Sequence, residues 1–184
     1  MALPAPADVV AFWRAAGPDK WFAKDDAFDA ALAARFHDAH HAAARGELDG
    51  WQADGEGVLA LILLLDQVPR NLWRGSAHAF ATDPLARTVA ARAVDTGLDS
   101  AVDPALRVFL YLPFEHSEDL ADQDRCVALC QALDAESGSE WTRWAVMHRD
   151  IVERFGRFPH RNQCLGRTST AAELAFLAAG GFAG

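Results

Sequence analysis

The stretch of the sequence richest in chemically useful side chains is RFGRFPHRNQCLGRTST, residues 154–170. It carries four arginines and one histidine and contains no acidic residue. Arginine presents a planar fork of N–H donors that matches a carboxylate or a phosphate, and histidine can transfer a proton near neutral pH. In an acidic chain such a segment has two interpretations. Its arginines bind an anionic ligand, or they pair with the protein's own carboxylates.

Helices must position these side chains. Alanine and leucine dominate the composition, whereas valine, isoleucine and tyrosine are sparse. Unbranched side chains lose little rotamer freedom in a helix, so this balance favours an all-α fold. A chain of 184 residues is long enough for one well-buried core and short for two. We therefore expect a single all-helical domain, residues 1–184, of about seven or eight helices.

The most apolar stretch, GVLALILLLDQVPRN, predicts a central helix. From Val58 to Leu65 the sequence is apolar on every side of a helix, which is typical of a helix surrounded by others. Pro69 has no N–H and disfavours helical geometry in the preceding residue, so the helix should end or kink between Asp66 and Arg70. Polar side chains then cluster at the end of the most buried element.

Prolines and capping residues mark the later helices. Asp83 is predicted to cap a helix that has Pro84 at its first position. Pro113 is predicted to close the helix that follows Asp103, and Ser117 to cap the next one.

The arginine-rich segment lies between the last two predicted helices. The first of these should end at Gly156, and Thr170 with Glu173 fits a capping box for the second. Steps of three and four residues define the inner face of the first helix and place His148 inside. That predicted inner face comprises Trp141, Trp144, His148, Val152 and Phe155.

Charge and composition exclude several classes of partner. The formal charge of −9 argues against nucleic-acid binding, which depends on many cationic contacts to phosphates. Nowhere does an apolar run approach the roughly 18 residues of a membrane span, and the first ten residues lack a signal-peptide pattern. We therefore expect no nucleic-acid partner, no membrane and a cytoplasmic location. Cys126, Cys130 and Cys164 are expected to remain reduced.

Three polar stretches together resemble a known family. LDQVPRN (65–71), LPFEHSED (112–119) and RFGRFPHRNQCLGR (154–167) each contain a proline and follow one another in the order found in the bacterial family known as "domain of unknown function 924". The likeness extends to KWFAKDDAFDAAL (20–32) and covers nearly the whole chain. It implies a fold similar to tetratricopeptide-like arrays of antiparallel helix pairs, and it carries no settled activity.

The resemblance also implies a shared set of polar positions. One departure is Glu115, which stands where an apolar residue is expected and enlarges the acidic cluster. The shared positions are Asp66, Gln67, Arg70, Asn71, His116, Ser117, Glu118, Arg157, His160, Arg161, Asn162 and Arg167.

If the three stretches meet in space, their arginines could form a fork for a small carboxylate or phosphate, with histidines as hydrogen-bonding partners. The alternative is a purely structural network, because buried charges must be paired and nearby acidic residues could pair them. The predicted ligand-binding residues are Asp66, Arg70, Asn71, His116, His148, Arg157, His160, Arg161, Asn162 and Arg167.

A hydrolase is the alternative to a binding protein. His116 or His160 would act as general acid or base beside Glu118, while arginines stabilise developing negative charge. Ser117 is adjacent to His116, but neighbours at a helix start rarely point at each other, so we interpret Ser117 as a cap. A protein-interaction scaffold is a third hypothesis, suggested by the fold likeness alone.

HDAHH, residues 37–41, raises the question of a metal. It places His37 and His41 one turn apart, as in helical metalloproteases, with Asp38 where a glutamate base belongs. Two ligands fall short of the three that catalytic zinc requires, so a solvated helix face is the preferred interpretation. A site from His116, Glu118 and either His148 or His160 is a further alternative. We predict no metal and no cofactor.

Overall fold

The computed structural model describes residues 3–183, and within them the regular structure is helical throughout, as the composition predicts. The chain forms two compact units. The first comprises the residues up to Arg74 together with His78–Pro113, and the second comprises Gly75–Ala77 together with the residues from Phe114 onward. Residues 1, 2 and 184 of the predicted range lie outside the described part, and a single domain stays a prediction.

The first unit is built around the predicted central helix. Every residue from Val58 to Leu65 is at most 2% exposed, which confirms a helix enclosed on all sides. The helices of this part of the chain are α1 (Pro6–Ala16), α2 (Pro18–Trp21), α3 (Asp26–Ala44), α4 (Gly55–Ile62), α5 (Val68–Leu72), α6 (Asp83–Asp95) and α7 (Pro104–Glu115), the last of which continues for two residues into the second unit. Helix α1 packs on α4, α3 packs on α5, and α4 packs on α6.

The central helix does not end at Pro69. A π-helical turn, Leu63–Gln67, joins α4 to α5 and widens the helix by one residue. Within it the Val68 N–H donates to the Leu63 carbonyl, five residues back. The wider turn accommodates a proline that cannot donate to the carbonyl four residues before it.

Two backbone carbonyls of the π-turn accept hydrogen bonds from side chains instead of from backbone N–H groups. The carbonyl of Leu64 would ordinarily accept from residue 68, and that of Leu65 from residue 69, which is the proline. The Nδ1–H of His40 instead donates to the Leu64 carbonyl at 2.8 Å. The Thr82 hydroxyl donates to the Leu65 carbonyl. These buried acceptors are therefore satisfied from other elements of the same unit.

The loop before α4 requires one particular glycine. A short 3₁₀ helix, Asp49–Ala53, contains Trp51, and Asp54 caps α4 by accepting the Gly57 N–H at 2.8 Å. A Cβ atom at Gly57 would lie 2.1 Å from the carbonyl oxygen of Trp51. Only glycine permits this close backbone approach.

Three predicted helix boundaries were wrong. Thr82 precedes α6, and Asp83 is its first residue and pairs its carboxylate with an arginine rather than capping the helix. Pro113 lies inside α7, near enough to its end that the helix continues to Glu115. Asp119, and not Ser117, caps the next helix by accepting the Ala121 N–H.

The second unit contains three further helices. Helix α8 (Leu120–Ser137) packs along α9 (Thr142–Phe155), and α10 (Ala171–Ala178) follows. A cluster of Ile151, Val152 and Phe158 forms its apolar core beside α9. The tetratricopeptide-like arrangement of antiparallel pairs stays a prediction.

The boundaries of the arginine-rich segment follow the prediction. Gly156 ends α9 in a left-handed conformation (φ +67°), and Thr170 with Glu173 forms the predicted capping box of α10.

His148 is buried as predicted. Trp144 is not, since 44% of it is exposed. The buried stripe of α9 runs through Ala145 instead, which leaves the indole of Trp144 outside.

The cysteines are reduced. Cys126 and Cys130 are buried one turn apart on α8 with their sulfurs 3.9 Å apart. The hydrogen bond between these thiols and their burial raise the pKa of Cys126 well above its ordinary value. Cys164 is half-buried in the arginine-rich segment.

Candidate functional site

Two arginines of the segment 154–170 are held by carboxylates of the second unit. Arg157 forms a two-point ion pair with Glu173, with Nε–Oε1 at 2.6 Å and Nη2–Oε2 at 2.9 Å. Glu173 also accepts the Thr170 N–H at 2.7 Å. These hydrogen bonds hold the pKa of Glu173 far below its usual value, and the bonds from Arg157 contribute most to this shift. Arg157 therefore fixes the start of α10.

Arg167 is paired in the same way with Glu118. Its Nη1 and Nη2 donate to the two carboxylate oxygens at 2.6 and 2.9 Å. Glu118 also accepts the Phe158 N–H at 2.8 Å, and Arg167 Nε donates to the Asn162 side-chain oxygen at 2.9 Å. Burial raises the pKa of Glu118, but the hydrogen bonds from Arg167 and Phe158 outweigh it and hold that pKa below its ordinary value.

Arg161 is the most buried arginine of the segment, with 6% exposed. Its Nη1 donates to the His116 carbonyl at 3.0 Å, and its guanidinium lies 4.5 Å from the centre of the Phe158 ring. A cation over an aromatic face is attracted by the ring quadrupole. Arg161 thus joins the segment to the residues that precede α8.

The Nδ1 of His160 is buried and has no hydrogen-bond partner among the residues that the structure describes. Its ring lies 5.7 Å from that of Phe158 and 5.2 Å from that of Phe182. Burial, followed by the positive charge of Arg161, lowers the pKa of His160 to about 3. His160 is therefore neutral at physiological pH.

His148 lies close to a buried carboxylate. Its Nδ1 is 2.9 Å from the Trp144 carbonyl and 3.3 Å from Oε1 of Glu115. Both side chains are less than 10% exposed. Glu115, the departure from the family pattern, thus faces an imidazole within its own unit.

Ser117 is not arranged as a nucleophile. Its Oγ donates to Asp122 at 2.7 Å and accepts the Asp119 N–H at 3.2 Å. The hydroxyl therefore organises the turn into α8. This supports the structural interpretation of Ser117, although the cap itself is Asp119.

The polar end of the central helix has its own partners in the first unit. Arg70 donates to both oxygens of Asp83 at 2.9 Å and lies 3.1 Å from Asp66. Burial lowers the pKa of Arg70, but Asp66 and Asp83 outweigh burial and raise it. Asn71 donates to Asp29 at 2.7 Å. Asp66 and Arg70 are thus brought together, whereas Asn71 is held by Asp29.

Sequence reasoning missed a histidine cluster in the first unit. His40, His41 and His78 bring one ring nitrogen each to within 4.8 Å of one another. His78 lies in a 3₁₀ helix, Ala77–Phe80, far along the chain from α3, so no local pattern indicates the grouping. The segment 37–41, predicted to lie on a solvated helix face, contains His40, which is 1% exposed. In the described part of the chain no helix combines the length and apolar character needed to cross a membrane.

These features define an all-helical protein in which arginine–carboxylate pairs connect helix ends. The family model described as "Bacterial protein of unknown function (DUF924)" matches residues 9–181, and the chain belongs to this family. It is similar to a solved protein of unknown function from Agrobacterium tumefaciens, with 57% identity and a TM-score of 0.89 over 94% of this chain and 96% of that one. No functionally curated protein matches.

Proposed function

We propose that the protein binds a small anionic molecule, a carboxylate or a phosphate, beside His160 in the second unit. The observation that carries the proposal is the buried Nδ1 of His160, for which no described residue supplies a hydrogen-bond partner. Buried polar atoms are nearly always satisfied, and an unsatisfied one calls for an explanation such as a bound molecule. An oxygen of a ligand would supply that partner.

The charges around His160 favour an anion. Arg161 lies beside it and already disfavours its protonation through positive charge. The guanidiniums of Arg157 and Arg167 belong to the same segment, and their side chains are 27% and 24% exposed. An anion would be attracted by these cations and could accept a hydrogen bond from the Nδ1–H of the neutral imidazole of His160.

The ion pairs of Arg167 with Glu118 and of Arg157 with Glu173 limit which donors a ligand can contact. Each glutamate already occupies two donors of its arginine. A ligand that displaced a glutamate would leave that carboxylate without its partner, which is costly at a half-buried site. The proposal therefore assigns the contact to His160 and leaves the two ion pairs intact.

The hydrolase alternative receives less support from the same contacts. Glu118 is ionised and occupied by Arg167 and the Phe158 N–H. General acid–base catalysis works best when the pKa of the group lies near the operating pH, and the pKa of His160, about 3, lies far from it. No contact of the described residues favours a protein-interaction scaffold over a binding site.

The test is anion-dependent stabilisation. The midpoint of thermal unfolding should rise with sodium phosphate or sodium acetate above its value in sodium chloride of equal ionic strength. His160→Leu keeps an apolar side chain between Phe158 and Phe182 but removes the nitrogen. In this variant the specific rise should disappear.

Arg143→Ala is the matched control, since this arginine of the same unit is 64% exposed and should not matter. Equal stabilisation of the wild type and His160→Leu would overturn the proposal. An absence of any rise above sodium chloride in the wild type, with both anions, would also contradict it.

A further inference from the structure

The histidines of α3 form a pattern that continues beyond the helix. His37, His40 and His41 are spaced H-x-x-H-H, so they share one face of α3. His78 approaches the same face from its 3₁₀ helix: its ring centre lies 6.2 Å from that of His40 and 6.0 Å from that of His41. All of these residues belong to the first unit.

The distances suit a transition-metal ion after a small adjustment. One ring nitrogen from each of His40, His41 and His78 lies within 4.8 Å of the others. Three nitrogens bound tetrahedrally at about 2.0–2.1 Å from zinc lie about 3.3 Å apart. Side-chain rotation of the more exposed His41 and His78 can close the difference, whereas His40 is fixed in the core.

His40 is held as a metal ligand would be. Its Nδ1–H donates to the Leu64 carbonyl at 2.8 Å, so its Nε2 carries the lone pair. Histidine ligands of metals usually donate their other ring N–H to a carbonyl or carboxylate, which fixes the tautomer and the ring orientation. Here the acceptor is the Leu64 carbonyl, which lies in the π-turn.

Trp73 lies against all three histidine rings. Its ring stacks on that of His78 with centres 4.0 Å apart, and it lies 5.0 Å from that of His40 and 5.7 Å from that of His41. An imidazole of ordinary pKa, about 6.5, is mostly neutral at pH 7. Neutral imidazole is the form that binds a metal.

We propose that His40, His41 and His78 bind one divalent first-row transition ion of the zinc type, with water in the remaining position. Three neutral imidazoles suit Zn²⁺, Ni²⁺ and Cu²⁺ and disfavour Mg²⁺ and Ca²⁺, which prefer oxygen. The site belongs to the first unit and involves none of the residues of the proposed anion site.

The proposal is tested with Zn²⁺ on the full chain, free of any histidine tag and treated with a chelator beforehand. Titration against a chromophoric zinc chelator should show one equivalent of bound Zn²⁺. His41→Ala and His78→Ala should each weaken Zn²⁺ binding at least tenfold. Both positions are more exposed than His40, so these variants should fold, which circular dichroism would verify.

His37→Ala is the matched control. His37 lies on the same helix and is exposed, and its Nδ1 lies 3.0 Å from Asp38. This variant should keep the wild-type stoichiometry and affinity. Equal Zn²⁺ binding by the wild type and folded His78→Ala would overturn the proposal, as would an absence of Zn²⁺ binding by the wild type. In either case the cluster would be only an aromatic stack on Trp73.

Discussion

Glu118 and Glu47 each hold an arginine through two hydrogen bonds, and the two pairs differ in solvent exposure. The side chain of Glu118 is 28% exposed, and that of Glu47, which pairs with Arg45, is 51% exposed. Glu118→Gln should lower the free energy of unfolding by about 1–3 kcal/mol, because Arg167 loses its charged partner at a half-buried site. Urea unfolding measures this loss.

Glu47→Gln is the control for Glu118→Gln. Exposed ion pairs contribute little to stability because water and salt screen them. The unfolding midpoint of Glu47→Gln should therefore remain close to that of the wild type. Equal losses in the two variants would show that burial does not determine the value of these pairs.

The pKa of His160 predicts a pH dependence of stability. This pKa is about 3 in the folded chain and about 6.5 when unfolded, so the unfolded state binds more protons between these values. Stability should therefore fall as the pH decreases below about 6.5. Arg161, His148 and His116 disfavour the proton on His160, and Glu118 favours it without reversing the shift.

The comparison with His160→Leu isolates this contribution. Between pH 6.5 and 5 the free energy of unfolding of the wild type should fall by about 1–2 kcal/mol more than that of the variant. Urea unfolding at a series of pH values gives both curves. Parallel curves would contradict the low pKa of His160.

At the scale of elements, the start of α4 depends on the contact between Gly57 and Trp51. Gly57→Ala would place a methyl group 2.1 Å from a backbone oxygen, so the 3₁₀ helix or α4 must move. We expect a loss of at least about 1–3 kcal/mol in the free energy of unfolding. Differential scanning calorimetry would detect it as a lower melting temperature.

Gly50→Ala provides the contrast. A Cβ atom at Gly50 meets no atom within 4 Å, so this variant should melt close to the wild type. A Gly57→Ala variant as stable as Gly50→Ala would mean that the close approach to Trp51 is easily relieved.

Local sequence rules predicted the elements better than their ends. Apolar character on all sides identified α4, and glycine and threonine signals located the boundaries of the segment 154–170, because these rules depend on neighbouring residues. Pro69 was expected to end or kink its helix and Pro113 to end one, but the helical path continues through both, with a π-turn before Pro69 and only two further residues after Pro113. Asp83 was expected to cap a helix, but Arg70 competes for its carboxylate.

At the scale of the whole molecule, α7 belongs to both compact units. Its residues up to Pro113 group with the first unit, and Phe114 and Glu115 group with the second. Disruption of either unit would therefore disturb a shared helix. We expect one cooperative unfolding transition because of this shared helix, and that result would support the prediction of a single domain.

Two probes test the cooperativity. In a variant with Trp141→Phe and Trp144→Phe, the remaining tryptophans all belong to the first unit. Tryptophan fluorescence then reports on that unit, while circular dichroism reports on helices in both. The two midpoints in urea should coincide, and separate midpoints would show that the units unfold independently.

The charged residues of the three motifs could be recognised in the sequence, but their ion-pair partners could not. The three polar motifs and their arginines were recognisable, because arginine, glutamate and histidine are rare in cores without a reason. The choice of Glu118 for Arg167 and of Glu173 for Arg157 depends on tertiary geometry. His40 was overlooked because burial of a histidine beside alanines cannot be recognised in one sequence.

The arrangement of the three cysteines has a practical consequence for spectroscopy. Cys126 and Cys130 are shielded by burial, and the thiol of Cys126 resists ionisation. Cys164 is half-buried and donates to the Arg161 carbonyl at 3.2 Å. A maleimide dye or spin label added to the native protein should therefore attach at residue 164. The unaltered chain thus offers a site-specific reporter within the arginine-rich segment.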